Sequence, residues 1–255
     1  MRPLVAVREA TPYDGRFAAK SPLFWALERA ARCLVDYDDF PPPAELVRVF
    51  DGVAPVRFVE AGSRPRRHRR GPLDVRSMYD ATITLDRCVP TRARSWHDLM
   101  NALVWGAFPR AKRALHARQY RAISERVRPG ARTLPPARTR EQDALALMDE
   151  GGVLVLTSDP CAAGYELRSH SGTLRKMIAS GVAEAVIFGH AVYESLVFGL
   201  APARVAALTL AREDPEGDLS RQADVALSRV LMDESRFGGP EELLRIDVRE
   251  LVLEE

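Results

Sequence analysis

The chain has 255 residues, 46% of them hydrophobic and 28% charged. This length and composition can bury a sizeable core, and they exclude a disordered, collagen-like or disulfide-stapled chain. Cys33, Cys88 and Cys161 are too few and too scattered for a disulfide framework or a structural zinc cluster. Net charge is +2, yet from Arg64 to Arg140 there are 19 Lys+Arg against 5 Asp+Glu, so the rest of the chain carries −12. A middle of that kind can draw nucleic acid, phosphorylated ligands or an acidic partner, although a solvated surface is the better account of charge pattern alone. Only Lys20, Lys112 and Lys176 of the 37 basic residues are lysine, a bias that fits a GC-rich coding sequence.

The first sixteen residues lack the apolar run of a secretory signal. The longest apolar candidate, Val182–Leu200, is cut by Glu184, His190 and Glu194, well short of the ~18 apolar residues of a membrane span. A cytoplasmic chain with reduced thiols and no membrane contact is expected.

In chain order, Ser21–Tyr37 predicts a first helix, with Ser21 as N-cap, Pro22 at the first helical position and Phe24, Leu27, Ala31 and Leu34 on the core face. Pro41, Pro42 and Pro43 end that segment, and Ala44–Phe50 follows as a short helix. The Arg-rich stretch 61–72 reads as a loop, and the short β-branched run Ala81–Leu85 as a strand. Ser95–Arg126 is the longest helical stretch. Ser95 and Asp98 have the spacing of a capping box, and Pro109 imposes a kink or a new helix start. Its second half places Arg110, Arg113, Arg118 and Arg121 on an outer basic face. Residues 127–140, with three prolines and a glycine, read as a surface linker.

Ala144–Met148 and Val153–Thr157 flank Asp149-Glu150-Gly151-Gly152 and read as a β-hairpin, with Asp149 and Glu150 as turn formers. Ser171–Ser180 reads as a helix, Ala183–Phe188 as a strand, His190–Gly199 as a helix and Arg204–Leu210 as a buried strand. Leu219–Asp233 reads as an amphipathic helix and Leu244–Leu253 as a final strand. Helices and strands mix without a strict alternation. The expectation is therefore a single α+β domain over 1–255, with helices on a small mixed sheet and a long kinked helix in the middle. No GxGxxG, P-loop, HExxH or GxSxG is present, so nucleotide-fold and serine-hydrolase readings lack local support.

Two constellations can carry chemistry. In Thr91-Arg92…Ser95-Trp96-His97-Asp98-Leu99-Met100-Asn101, His97 and Asn101 fall four apart on one helix face, and the helix N-terminus favours neutral imidazole. Arg92 can supply a fork for phosphate or carboxylate. Capping explains Ser95 and Asp98 equally well. In Gly189-His190-x-x-x-Glu194, a His and a carboxylate four apart can chelate a metal or form an acid–base pair, and a buried His paired to Glu is the plain alternative.

The run Val89-Pro90-Thr91-Arg92…Trp96-His97-Asp98-Leu99-Met100-Asn101…Phe108-Pro109-Arg110-Ala111-Lys112 resembles the signature of a bacterial family called domain of unknown function 3025. Asp143-Ala144-Leu145…Asp149-Glu150-x-Gly152-Val153 and Phe188-Gly189-His190-Ala191…Glu194 resemble its two downstream motifs, in the same order. The resemblance spans roughly residues 20–210, and the chain departs from it at His116, at Gly151 and across Arg64–Arg70. It implies that Trp96-His97-Asp98, Asn101, His190 and Glu194 recur together, and it brings no activity with it.

The leading expectation is a hydrolase-like enzyme acting on a small phosphorylated or carboxylated substrate, with a divalent metal as an optional cofactor. His97 and His190 would be ligands or bases, Asp98 and Glu194 carboxylate partners, Asn101 a further polar group, and Arg92 with Thr91 the anion site. The competing expectation is a protein without chemistry that holds nucleic acid or an acidic partner through Arg64–Arg70 and Arg110–Arg121. A third is an internal polar network that only fixes the fold.

Overall fold

The computed structural model describes residues 11–62, 72–200 and 204–251. Its α-helices are α1 (Glu28–Ala31), α2 (Tyr79–Asp86), α3 (Trp96–Ala107), α4 (Pro109–Ser124), α5 (Arg140–Gly151), α6 (Pro160–Ser169), α7 (Thr173–Ala179), α8 (His190–Val197) and α9 (Leu219–Met232). The strands are β1 (Arg57–Glu60), β2 (Cys88–Thr91), β3 (Gly152–Thr157), β4 (Ala183–Ile187), β5 (Val205–Ala211) and β6 (Leu244–Ile246). The fold is α+β. A four-stranded mixed sheet has the order β4-β3-β5-β6, and β1 and β2 form a separate parallel pair. In the larger sheet β3 runs parallel to β5, with Leu154 beside Leu208, and antiparallel to β4, with Val155 beside Ala185. All six residues of β3 are buried, as a central strand covered on both faces requires.

Helix α3 lies deep in the core. Leu99, Met100, Ala102, Leu103, Val104 and Trp105 are all buried. Ser95 caps it, its Oγ accepting the Asp98 N–H at 3.3 Å. Gly106 lets the neighbouring backbone close in, because a Cβ there would meet the Val49 carbonyl oxygen at 2.7 Å. Trp96 opens the helix inside an aromatic cluster of Tyr13, Phe17 and Phe40.

Several expectations change. The stretch from Ser95 to Arg126 is two helices, not one kinked helix. Phe108, at φ −130° and ψ 57°, leaves helical geometry, and Pro109 starts α4 at its first position. The predicted strand Ala81–Leu85 lies within α2, where Thr82 returns its hydroxyl hydrogen bond to the Tyr79 carbonyl at 2.8 Å. The predicted hairpin is absent. Ala144–Met148 belongs to α5, started by a full capping box between Thr139 and Gln142, and the Gly pair ends the helix instead of turning a hairpin. The first helix is tightened into 3-10 turns on either side of α1, with Ser21 capping as expected and Phe24, Leu27, Ala31 and Leu34 buried. Ala44–Phe50 is likewise a 3-10 turn, Pro43–Val49. The last strand stops at Ile246 and a 3-10 turn follows. The Arg64–Arg70 run lies outside the described residues. Among the described residues, no helix is long and apolar enough to cross a membrane.

Arg118 is not on an outer face. It is buried, and its guanidinium donates to Glu141 at 2.6 Å and to the carbonyls of Leu231 at 3.1 Å, Asp233 at 3.0 Å and Arg236. One side chain thus fastens α4 to the C-terminal end of α9 and the turn beyond it. Arg118→Ala strands those acceptors and should cost about 3 kcal/mol in urea unfolding. Arg118→Lys should recover little of that, because an ammonium cannot span the four acceptors.

Candidate functional site

The N-terminal ends of α3, α4 and α8 and the C-terminal end of α5 converge where β3 begins and β4 ends. Gly189 makes the approach possible. The N–H groups of Phe188 and Gly189 both donate to the Gly152 carbonyl at 2.9 Å, and a Cβ at Gly189 would meet the Gly152 nitrogen at 2.4 Å and the Glu150 carbonyl oxygen at 2.5 Å. The start of α8 is thereby pressed against the end of α5. His190 and Glu194 on α8 then face His97 on the first turn of α3, with Asp149 and Glu150 alongside.

The two imidazoles meet at a T-shaped angle, with ring centres 4.5 Å apart. His97 Nε2 and His190 Nε2 are 3.0 Å apart. His97 Nδ1 is 3.1 Å from Glu194 Oε2, and Glu150 Oε2 is 3.5 Å from His190 Nε2. Ligand atoms of His97, Glu150 and His190 all lie within 4.8 Å of one another. His190 and Glu194 are buried, whereas the side chains of His97 and Glu150 are 29% and 53% exposed and form the open side. His190 Nδ1 is buried without a hydrogen-bond partner of good geometry; Asp149 faces it, its carboxylate 3.9 Å away.

The electrostatics divide the rings. Burial pulls His190 down to about 3, and the positive charges of Lys112 and His97 add to that; Asp149 opposes it. Burial also works against charge on His97, but the Glu194 hydrogen bond and the charges of Glu150, Glu194 and Asp98 outweigh it and raise this imidazole above its ordinary value. Burial raises Glu150 as well, helped by the like charges of Asp149 and Glu194. When Glu194 accepts the Nδ1 proton of His97, Nε2 of that ring turns a lone pair toward neutral His190. Two lone pairs at this distance repel unless a proton or a cation lies between them.

Beneath the imidazoles is a charged floor. Lys112 on α4 is fully buried, its ammonium donating to Asp149 Oδ1 at 2.5 Å and to Asn101 Oδ1 at 2.7 Å. Asn101 Nδ2 donates onward to the Tyr79 hydroxyl at 3.2 Å. Burial disfavours the Asp149 carboxylate, but the Lys112 ammonium and the His190 and His116 imidazoles hold its pKa well below the ordinary range. His116 stacks on Trp105 at 5.5 Å and pairs with Asp80 at 2.9 Å.

The sequence-predicted residues therefore separate. His97, His190 and Glu194 come together. Asn101 lies one layer deeper and serves Lys112. Asp98 turns away to Arg92, which grips it through Nε at 3.0 Å and Nη2 at 2.8 Å, so that fork is occupied. Thr91 is buried, its hydroxyl donating to the Val89 carbonyl at 2.9 Å. Sequence reasoning reads Asp149 and Glu150 as turn formers and misses Lys112 and Tyr79 as site residues. A signal for Lys112 existed, since it is one of only three lysines in a chain that otherwise uses arginine.

Lys112→Met leaves Asp149 buried and unpaired and should cost about 3–5 kcal/mol by denaturant unfolding. Lys112→Met with Asp149→Leu should recover most of that loss, because no lone charge then remains. The stabilisation Asp149 contributes, its folded pKa being depressed, is complete above its unfolded pKa and should be lost as pH falls through the folded one.

No curated protein and no solved structure matches the chain. Residues 64–245 match the model of the family described as protein of unknown function (DUF3025), and the chain belongs to that family.

Proposed function

We propose that the chain is a hydrolytic enzyme acting on an anionic substrate, with His97 Nε2, His190 Nε2 and Glu150 holding a divalent cation at its centre. The observation that carries this reading is the 3.0 Å approach of the two Nε2 atoms beside Glu150. Two nitrogens bound to one tetrahedral ion at ordinary bond lengths stand about 3.3 Å apart, so little movement is needed to admit it. Glu194 on His97 Nδ1 supports the same reading, because a carboxylate behind a ligating imidazole fixes its tautomer and raises its basicity. Two imidazoles and one carboxylate leave coordination positions open on the exposed side, and an ion there supplies Lewis acidity and lowers the pKa of a bound water. Buried Glu194 and the Lys112–Asp149 pair hold the ligands from behind.

Purified protein stripped with a chelator should bind one equivalent of Zn²⁺ or Mn²⁺ by calorimetry. His97→Ala and His190→Ala should abolish that binding, and Glu194→Gln should weaken it about 10- to 100-fold. Wild-type protein that binds neither ion, or variants that bind as well as it does, would remove the metal centre from the proposal. Hydrolysis of p-nitrophenyl phosphate and p-nitrophenyl butyrate tests the activity, and turnover should follow metal occupancy.

A second reading is favoured by a separate groove of about 700 Å³ lined by Arg87, Arg110 and Arg113, with no carboxylate among the described residues of its wall; Arg121 also lines it but is paired with Glu234. On this reading the chain holds a polyanion such as nucleic acid. Affinity for a single-stranded oligonucleotide should then fall steeply as salt rises, and Arg110→Gln with Arg113→Gln should flatten that dependence. No binding at low salt excludes it.

A further inference from the structure

The proposed centre opens at Glu150, and there a groove of about 660 Å³ begins between α5, α8 and the β5–β6 side of the sheet. That volume is in the range of small-molecule sites. Its wall is mainly apolar: Leu147, a large hydrophobic side chain left 42% exposed on α5, stands over a floor of the buried Val192 of α8, Val205 of β5 and Leu244 of β6. Three arginines reach the same groove from three segments: Arg138 precedes α5, Arg204 precedes β5 and Arg245 lies within β6. None of them makes a side-chain ion pair or hydrogen bond among the described residues. Arg204 acts electrostatically on Asp247, but that carboxylate is already gripped by Arg249. The acids of the wall are Asp143 and Glu150, and the second belongs to the proposed centre.

From this geometry we infer that the groove is the substrate site and that it takes an amphipathic anion: an apolar chain bearing a carboxylate or a phosphate. Apolar lining receives the chain, by removal of its surface from water. The unpaired guanidiniums receive the charged group, and they are well suited to it because a fork binds either oxyanion through two hydrogen bonds. This takes over the role that Arg92 cannot fill while it holds Asp98. The inference deepens the enzymatic reading, and it rests on that reading only in placing the reactive bond near Glu150.

Octanoate, octyl phosphate and octan-1-ol, each below its aggregation limit, test it by calorimetry with a chelator present, so that metal binding does not enter. At least one of the anions should bind saturably and about tenfold or more tighter than the alcohol; which one does identifies the head group. Arg204→Gln with Arg245→Gln should reduce anion affinity about tenfold while leaving alcohol binding unchanged. Leu147→Asp, a surface change with little effect on folding, should weaken all three ligands. Equal affinity for alcohol and anions, indifference to the double arginine change, or no saturable binding by either anion would each overturn the inference. Groove binding without metal binding keeps this proposal and defeats the metal centre; the reverse keeps the centre and defeats the groove.

Discussion

The buried pair of Lys112 and Asp149 is the constraint on which the site depends. Removing two charges from water costs several kcal/mol each, and mutual attraction repays that only when the remaining hydrogen-bonding capacity is also used. Here it largely is. The Asn101 amide oxygen accepts a second hydrogen bond from Lys112, and its amide nitrogen donates to the Tyr79 hydroxyl in turn. Four helices, α2, α3, α4 and α5, therefore share one polar junction. A hydrophobic plug could fill the same volume more cheaply, but it would not fix the last turn of α5 against α3 and α4. That turn carries Glu150.

Backbone contact completes what the ion pair begins. Gly189 lets the turn after β4 press against the start of β3, where any side chain would meet the Gly152 nitrogen and the Glu150 carbonyl. His190 is thereby held at the α8 N-terminus, where burial keeps its ring neutral and able to offer a lone pair. His97 has the opposite surroundings, because carboxylates favour its charged form. Two chemically identical side chains thus acquire different proton affinities within one hydrogen-bond length, through burial on one side and negative charge on the other.

Much of this was legible in the sequence. The cap at Ser95, the break at Pro109 and the strand–Gly–His–helix order around residue 190 follow from local backbone chemistry, and those elements form. His97, His190 and Glu194 stood out because titratable side chains at helix starts are spaced to cooperate. What could not be read locally was the partner across the fold. Asp98 and Glu194 look alike in sequence, each a carboxylate within one turn of a histidine. Only packing decides that Asp98 turns to Arg92 while Glu194 crosses to His97. Asp149 and Glu150 were misplaced for a different reason. Gly151-Gly152 signals a turn and a helix stop equally well, and the capping box of Thr139 and Gln142, ten residues upstream, was the feature that separates the two.

The arginine bias also resolves into distinct physical roles. Arg118 is a buried fastener and Arg92 an exposed one, and their forks are filled by carbonyls and carboxylates, so each adds less to the chain's field than to its positive count. Arg121 is similarly neutralised by Glu234 and Glu141. Net sequence charge therefore overstates how much of the basic middle can meet an anion. The cations left for that purpose line grooves. Lysine at 112 is the instructive exception. Its ammonium is compact, and it sits between two oxygens with the Trp105 ring 5.8 Å away. A planar guanidinium in that space would carry donors with no acceptors to meet, and each buried unmet donor costs free energy. In a chain where all but three of the 37 basic residues are arginine, this buried position keeps lysine because only a point charge fits, and the position is the floor of the site.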